Sequence, residues 1–242
     1  VPYGDAPTLY RDAAARRNIE VVGVDCHIGS QITEIAPYLE ALAKVLDLVD
    51  RLAAEGIALR HLDLGGGFGI RYRDETPPAL GAFVQAILAR LGDRPLKLMF
   101  EPGRSIVGNA GLLLTRVEYL KHGDARNFAI VDAAMNDLLR PSLYEAWHDI
   151  VPIAHRDGAS AIYDVVGPVC ESGDFLGKDR LLALSPGDLL AVLSAGAYGM
   201  SMSSNYNTRP RAAEVLVDGA TPHLVRRRER TEELFGAETV PF

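Results

Sequence analysis

The sequence contains few of the residues that mark several common classes of protein. Its two cysteines, Cys26 and Cys170, lie far apart in a chain of 242 residues, which argues against a disulfide framework and favours a reducing cytoplasm. No apolar run approaches the roughly 20 residues that are needed to span a bilayer. The six histidines show no short ligand spacing, so that no metal site is predicted.

An excess of positive charge is also absent. The chain has 25 basic and 32 acidic residues, for a net charge of −7. This balance argues against nucleic acid or an anionic membrane as the main partner, but it leaves room for a local basic pocket that binds a small anion. The hydrophobic content of 48% is enough to bury one large core or two modest ones.

The first segment, Val1-Pro2-Tyr3-Gly4-Asp5, contains no initiator methionine. We expect this end to be a cut or a processing site. The C-terminus has a polar segment at residues 226–230 and a short helical pattern at residues 231–234, and we expect it to be a natural end.

Residues 1–112 alternate between helical and strand patterns. Amphipathic spacing and flanking Pro and Gly residues predict three helices. Two span residues 7–17 and 80–91, and the third has an apolar stripe over residues 39–53, with Pro37 in its first turn and Gly56 at its end. Apolar runs predict strands over residues 19–28, 61–64 and 96–100. Because the strands are hydrophobic almost throughout and the connections are short, this half is expected to form parallel βα units with both sheet faces covered.

Residues 113–242 show strand patterns separated by turns, without a long helical period. The predicted strands are residues 113–121, 128–132, 163–169, 189–194, 213–218 and 223–227. The sequence therefore predicts an α/β domain over residues 1–112 and an antiparallel all-β domain over residues 113–242. A closed (β/α)8 barrel needs about 250 residues, so the three strands of the first half form either a small open sheet or the end of a barrel.

Two polar segments follow neighbouring strands of the first half. Gly65-Gly66-Gly67 would let backbone N–H groups approach an anion, although a tight turn without a ligand is the alternative. No Gly-Lys-Ser/Thr follows, which excludes a P-loop. Glu101-Pro102-Gly103-Arg104 places a carboxylate and a guanidinium at the next strand end, where a local salt bridge is the alternative. Together the two segments favour an anion site.

Three further segments carry reactive side chains. Cys26 and His27 are neighbours on a strand and point to opposite faces, so they cannot form a nucleophile–base pair; a buried structural histidine is the alternative for His27. The glycine-bounded loop 167–174 places Cys170 beside Glu171. The small-residue turn 194–199 presents the hydroxyl of Tyr198.

These five segments, in this order, resemble the fold-type III pyridoxal-phosphate-dependent decarboxylases over nearly the whole chain. The segments are Cys-His-Ile-Gly-Ser-Gln, Leu-Gly-Gly-Gly-Phe-Gly, Glu-Pro-Gly-Arg-Ser, Cys-Glu-Ser-Gly-Asp and Gly-Ala-Tyr-Gly-Met-Ser-Met-Ser-Ser-Asn-Tyr-Asn. The last two favour the branch that acts on diaminopimelate. The resemblance implies the C-terminal part of a (β/α)8 TIM-like barrel followed by a β domain, in a homodimer with active sites at the subunit interface.

The resemblance also implies a cofactor, pyridoxal 5'-phosphate, and the residues that hold it. Glu101 would lie against the ring nitrogen, and His27 would stack on the ring as a catalytic residue. The remaining cofactor-binding residues that it implies are Ser30, Gly66, Gly67, Gly103, Arg104 and Tyr198.

The same resemblance assigns the substrate contacts and the proton donor. The residues that would bind the substrate are Arg104, Arg140, Tyr144, Glu171 and Tyr198. A guanidinium matches the geometry of a carboxylate, and Glu171 would receive the distal ammonium of diaminopimelate. Cys170 would return a proton to the substrate carbon, in the site of the partner subunit, and the product would be L-lysine.

The family's Schiff-base lysine lies on the first barrel strand, upstream of the histidine segment. The lysines of this chain are Lys44, Lys97, Lys121 and Lys178, and none has a matching context. We therefore expect that the chain by itself does not bind the cofactor covalently. The alternatives are a related decarboxylase that acts on ornithine, arginine or carboxynorspermidine, a non-catalytic homologue that dimerises, and a fragment without a stable fold.

Overall fold

The computed structural model describes residues 1–241. The chain forms two compact units, Val1–Ile106 and the remainder from Val107 onward. The domain boundary between residues 112 and 113 stays a prediction. No helix of the described residues is both long and apolar enough to cross a membrane.

The first unit contains three helices and a three-stranded parallel sheet. The helices are α1 (Ala6–Ala14), α2 (Ala36–Ala54) and α3 (Leu80–Leu91), and the strands are β1 (Gly23–Asp25), β2 (His61–Asp63) and β3 (Lys97–Met99). The sheet order is β1-β2-β3. The parallel βα arrangement is confirmed, with strands shorter than predicted. A single helical turn, α4 (Arg104–Val107), follows β3.

The predicted apolar stripes of the helices form the core of the first unit. Leu42, Leu46 and Val49 of α2 are buried, and Phe83 and Ile87 of α3 are buried against the same cluster. The exceptions are Ala53, near the end of α2, and Leu80, at the start of α3, whose side chains are exposed. The hydrophobic spacing therefore identified the buried faces, and burial of these side chains is the main favourable term for this unit.

The second unit is built on a six-stranded sheet. Its strands are β4 (Leu113–Lys121), β5 (Asn127–Val131), β6 (Ile150–Pro152), β7 (Ala161–Val166), β8 (Phe175–Leu182) and β9 (Leu189–Val192). The order is β6-β9-β4-β5-β7-β8. A separate hairpin joins β10 (Glu214–Asp218) to β11 (Thr221–Arg226), and two short helices are α5 (Arg140–Tyr144) and α6 (Thr231–Leu234).

The β-rich character of the second unit is confirmed, with two differences in detail. β5 and β7 pair in parallel, whereas every other strand pair of the six-stranded sheet is antiparallel. The parallel pair is possible because the long crossover from β5 to β7 carries α5 and β6. The sequence patterns missed β6, which has three residues, and β8, whose centre is the charged run Lys178-Asp179-Arg180.

The glycine run after β2 is required by the packing of backbone against backbone. A Cβ atom on Gly66 would lie 2.3 Å from the carbonyl oxygen of Glu101, and one on Gly67 would lie 2.2 Å from the carbonyl oxygen of Gly29. Gly67 also has a φ of 92°, which L-residues rarely adopt. The loops that follow the three strands therefore approach each other more closely than any side chain would permit.

We predict that Gly66→Ala destabilises the chain by about 1–3 kcal/mol, because the new methyl group meets a backbone atom that has little room to move. The matched control is Gly81→Ala in α3, where an added Cβ would meet nothing within 4 Å. The control should stabilise the helix by roughly 0.5–1 kcal/mol. Urea unfolding followed by circular dichroism measures both, and equal stabilities of the two variants would contradict the packing argument.

Candidate active site

The polar segments that follow the three strands of the first unit come together at the carboxyl edge of the sheet. We call this group, which is His27, Ser30, Gly65–Gly67, Glu101, Gly103 and Arg104, the strand-end cluster. The Gly66 amide donates to Nδ1 of His27 at 3.2 Å, and the Glu101 amide donates to the carbonyl of Gly65 at 2.9 Å. Sequence-distant residues are therefore linked by direct backbone contacts.

His27 is exposed, and the hydrogen bond at its Nδ1 indicates which ring nitrogen carries the proton. Because Nδ1 accepts the Gly66 amide proton, the neutral imidazole carries its own proton on Nε2. A Cβ atom on Gly65 would lie 2.7 Å from that Nδ1, so the contact depends on glycine. The alternative of a buried structural histidine is not what the structure shows.

Arg104 is half-buried and has two hydroxyl partners in the first unit. Its guanidinium donates to Oγ of Ser30 at 3.1 Å and to the hydroxyl of Tyr72. Its Cζ lies 5.5 Å from the centre of the Tyr72 ring, which is buried. Sequence analysis missed Tyr72, because it lies in an irregular segment without a recognisable motif. Only its place shortly after the glycine run could have marked it as a candidate.

The strand-end cluster presents donors that suit an anion. Within residues 1–241 the amides of Gly67 and Gly103 have no hydrogen-bond acceptor, and a Cβ on Gly103 would meet nothing within 4 Å. The positive charge of Arg104 lies in the residue that follows Gly103. Exposed amides beside a guanidinium form an environment that favours a phosphate or carboxylate group. Glu101 adds an exposed carboxylate at the same edge.

The glycine run packs against a cluster of aromatic core residues, which are Tyr38, Phe68 and Phe83. The Tyr38 hydroxyl donates to the carbonyl of Gly66 at 2.9 Å, and burial raises the pKa of Tyr38 to about 12, so the hydroxyl keeps its proton near neutral pH. Phe68 stacks on Tyr38 at 5.2 Å and meets Phe83 edge-to-face at 4.4 Å. The run therefore rests on rigid side chains of the core.

In the second unit, the loop 167–174 carries Cys170 and Glu171 and is held in place by a buried carboxylate at its end. This carboxylate belongs to Asp174, which accepts the amides of Met135 at 2.7 Å and Val169 at 2.6 Å. Burial raises the pKa of the Asp174 carboxyl, and the two backbone bonds oppose that rise. Both Cys170 and Glu171 are exposed, and Cys170 is a free thiol.

Glu171 has a partner that sequence analysis did not assign. The hydroxyl of Tyr206 donates to Oε2 of Glu171 at 2.5 Å, and this contact with the carboxylate raises the pKa of Tyr206. Tyr206 lies in the Ser-Ser-Asn-Tyr-Asn part of a segment that carried the family resemblance. The sequence therefore marked this segment, but it did not predict the contact between Tyr206 and Glu171.

Arg140 is buried, whereas Tyr144 at the other end of α5 is exposed. The Arg140 Nη1 donates to Nε2 of His148 at 2.8 Å, and Nδ1 of His148 lies 2.8 Å from the carbonyl of Leu193. Because a guanidinium only donates, the fully buried His148 accepts through Nε2 and carries its proton on Nδ1. The substrate role of Arg140 stays a prediction, and His148 is a contact that sequence analysis missed.

Tyr198 is exposed in a tight turn after β9. Its φ is 58°, and the flanking Gly196 and Gly199 approach backbone so closely that a Cβ would lie 1.9 Å from the carbonyl oxygen of Val107 and 2.3 Å from that of Ala195, respectively. These approaches therefore constrain the backbone on both sides of Tyr198. Its predicted contacts with cofactor and substrate stay predictions.

The remaining candidate groups are peripheral. All four lysines are exposed, and Lys178 lies over the ring of Phe175 at 3.9 Å. Cys26 is half-buried, and its burial, together with the charge of Asp25, raises the pKa of its thiol. In the part of the chain that the structure describes, no three His, Cys, Asp or Glu side chains are grouped so as to hold a metal ion.

Known proteins resemble both units in sequence and fold. A family model described as "Pyridoxal-dependent decarboxylase, C-terminal sheet domain" matches residues 9–196. The chain belongs to this family of pyridoxal-dependent decarboxylases. A diaminopimelate decarboxylase from Pseudomonas aeruginosa is 64% identical over 236 residues, which cover 98% of this chain and 57% of that protein.

Solved structures of similar proteins share the fold. A diaminopimelate decarboxylase from Helicobacter pylori, complexed with L-lysine, is 43% identical with a TM-score of 0.91, over 97% of this chain and 59% of that chain. One from M. jannaschii, in co-complex with L-lysine, is 38% identical with a TM-score of 0.92, over 98% of this chain and 56% of that chain. The chain therefore spans less than two thirds of the length of the relatives that it matches.

Glu229 holds the segment around Tyr206 through Asn205, so the stability of this segment should depend on pH. The Glu229 carboxylate accepts hydrogen bonds from the side chains of Arg211 and Asn205. These contacts lower the pKa of Glu229 from 4.5 to about 2, and the bond from the Arg211 side chain has the largest effect. A lowered pKa stabilises the folded state above the unfolded pKa, and the contribution is lost as the pH falls through the folded pKa. The unfolding free energies of wild type and Glu229→Gln should therefore differ by a constant amount above about pH 5 and converge near pH 2.

Glu238→Gln, at an exposed position near the C-terminus, is the control for a change of net charge. Chemical unfolding at each pH gives the comparison. A difference between wild type and Glu229→Gln that persists undiminished at pH 2 would show that the contacts of Glu229 are not what stabilises the segment.

Proposed function

We propose that the complete gene product containing this chain decarboxylates meso-2,6-diaminopimelate to L-lysine with pyridoxal 5'-phosphate. The observation that carries the proposal is the strand-end cluster, in which His27, Glu101 and Arg104 converge through contacts that only glycines permit. It is supported by the family to which the chain belongs and by relatives that are named for this activity.

The strand-end cluster has the donor set that the cofactor requires. The amides of Gly67 and Gly103 and the guanidinium of Arg104, with the hydroxyl of Ser30, would hold the phosphate. Glu101 would hold a proton at the ring nitrogen, and His27 would pack on the ring face. When bound, the cofactor takes up the electron pair that the departing carboxylate leaves behind.

Gly66, whose predicted role in binding the phosphate stays a prediction, would also act through His27. Its amide donates to His27 Nδ1 and would thereby fix the imidazole. A fixed His27 presents its Nε2–H side and its ring face in one orientation. Preorganisation of this kind is how a binding site lowers the cost of ordering its ligand.

The substrate contacts are proposed on chemical grounds. Arg104, Arg140 and Tyr144 would bind carboxylates, and Tyr198 would contribute a hydroxyl close to both cofactor and substrate. Glu171 would bind the distal ammonium. The exposed thiol of Cys170 would donate a proton to the substrate carbon once CO₂ has left. In the proposed homodimer, which is cytoplasmic, Cys170 and Glu171 act in the site of the partner subunit.

The test measures CO₂ release by the complete gene product with meso-diaminopimelate, ornithine and arginine. We expect turnover of diaminopimelate in strong preference to the other two. Glu171→Gln should lower kcat/KM for diaminopimelate by about 10- to 100-fold, because a hydrogen bond to a charged group is worth about 1.5–3 kcal/mol. Glu118→Gln, at an exposed position of β4, is the control and should have no effect. Preferred turnover of ornithine would refute the proposed substrate.

A second measurement concerns the 242-residue chain alone. After incubation with pyridoxal phosphate and reduction with borohydride, mass spectrometry should find no stoichiometric adduct on Lys44, Lys97, Lys121 or Lys178. The physical reason is that all four are exposed, whereas a desolvated lysine reacts more readily. One stable adduct at a single lysine would contradict this expectation.

A further inference from the structure

We infer that Tyr206 is a positioning residue for Glu171, fixing one carboxylate oxygen so that the other is directed at the ammonium group of the substrate. The inference rests on the proposed function, because it concerns how the chain recognises the distal end of diaminopimelate. It assigns a role to a side chain that lies 35 positions from Glu171 in sequence.

The geometry of the contact suits this role. The Tyr206 hydroxyl donates to Oε2 of Glu171, which leaves Oε1 to accept from a cation. An exposed glutamate otherwise populates several rotamers of similar energy, and ordering them on binding costs affinity. A phenol is uncharged, so it orients the carboxylate without cancelling its negative charge.

The charge of Glu171 is available for a ligand. Among residues 1–241, no Lys or Arg forms an ion pair with Glu171. Glu229, which belongs to the same unit, is by contrast paired with Arg211 at 2.5 Å. Glu171 is therefore an exposed, oriented and unneutralised carboxylate beside the thiol of Cys170.

The segment that carries Tyr206 adopts a strained backbone. Asn207 and Thr208 have φ values of 57° and 55°, and a β-branched residue such as Thr rarely adopts this left-handed conformation. Strain of this kind persists only where the surrounding contacts determine the conformation, and it concentrates at functional sites. The strained turn immediately follows Tyr206, whose hydroxyl contacts Glu171.

Contacts on both sides hold the strained turn in place. Before it, the Ser204 amide donates to the carbonyl of Asn136 at 3.0 Å. After it, Arg209 donates to Oδ1 of Asn136 at 2.9 Å and to the carbonyl of Asp132 at 2.7 Å. On the other side of the contact, Glu171 lies in the loop that Asp174 anchors. The hydrogen bond thus joins two segments that are both anchored to the adjacent residues Met135 and Asn136.

The experiment compares Tyr206→Phe with wild type in the complete gene product, using meso-diaminopimelate and 2-aminopimelate, which lacks the distal amine. We expect KM for diaminopimelate to rise about tenfold with kcat within twofold, and both parameters for 2-aminopimelate to stay within twofold. The Kd of L-lysine, measured by calorimetry, should rise by a similar factor, because the product retains the distal ammonium. Tyr119→Phe, at an exposed position of β4, is the matched control.

A double variant separates positioning from a structural role. If Tyr206 acts through Glu171, Tyr206→Phe should add no further loss of diaminopimelate affinity in a Glu171→Gln background. An equal rise of KM for both substrates, or an unchanged KM for diaminopimelate, would overturn the inference while the proposed function stands. Failure of the wild-type protein to release CO₂ from diaminopimelate would overturn both.

Discussion

The carbonyl oxygen of Glu101 passes so close to Gly66 that a single methyl group there would lie 2.3 Å away. The arrangement of the strand-end cluster depends on this close approach. The approach brings the loop after β3 against the loop after β2, and the Gly66 amide then meets His27 from the loop after β1. The positions of the carboxylate and the imidazole are consequences of one backbone approach, which Tyr38 and its aromatic neighbours support from the core.

The second unit uses the same device at a different place. Gly167 lies so close to Asp174 that a Cβ would come within 2.5 Å of its Oδ2, and this allows the buried carboxylate to hold both ends of the loop that carries Cys170 and Glu171. A buried carboxylate is costly unless its oxygens accept hydrogen bonds, and here two backbone amides supply them. The reactive side chains are thus exposed while the loop beneath them is rigid, a combination that suits a catalytic surface.

The parts that sequence reasoning could predict are those that local patterns encode. Apolar spacing identified the buried face of α2, and glycine and charged segments at strand ends identified the strand-end cluster. The contacts of Tyr72, His148 and Tyr206 could not be predicted in this way. Tyr72 and Tyr206 contact residues that lie 32 and 35 positions away, and His148 joins Arg140 to the carbonyl of Leu193, 45 positions away. Hydrogen bonds over such distances leave no periodic trace in the sequence. β8 was missed for a related reason, because its charged centre includes Arg180, which is buried by tertiary packing against Trp147.

The distribution of charge in the second unit explains why one carboxylate among several suits a cationic ligand. Glu229 is held by the guanidinium of Arg211 and serves to anchor the segment around Tyr206. Asp174 is buried among backbone amides and cannot reach solvent. Glu171 is exposed and is oriented by a neutral phenol, so its charge is directed outward. Since an exposed ion pair alone contributes little, the proposed recognition of an ammonium at this surface would depend on the prior ordering of Glu171 by the Tyr206 hydroxyl.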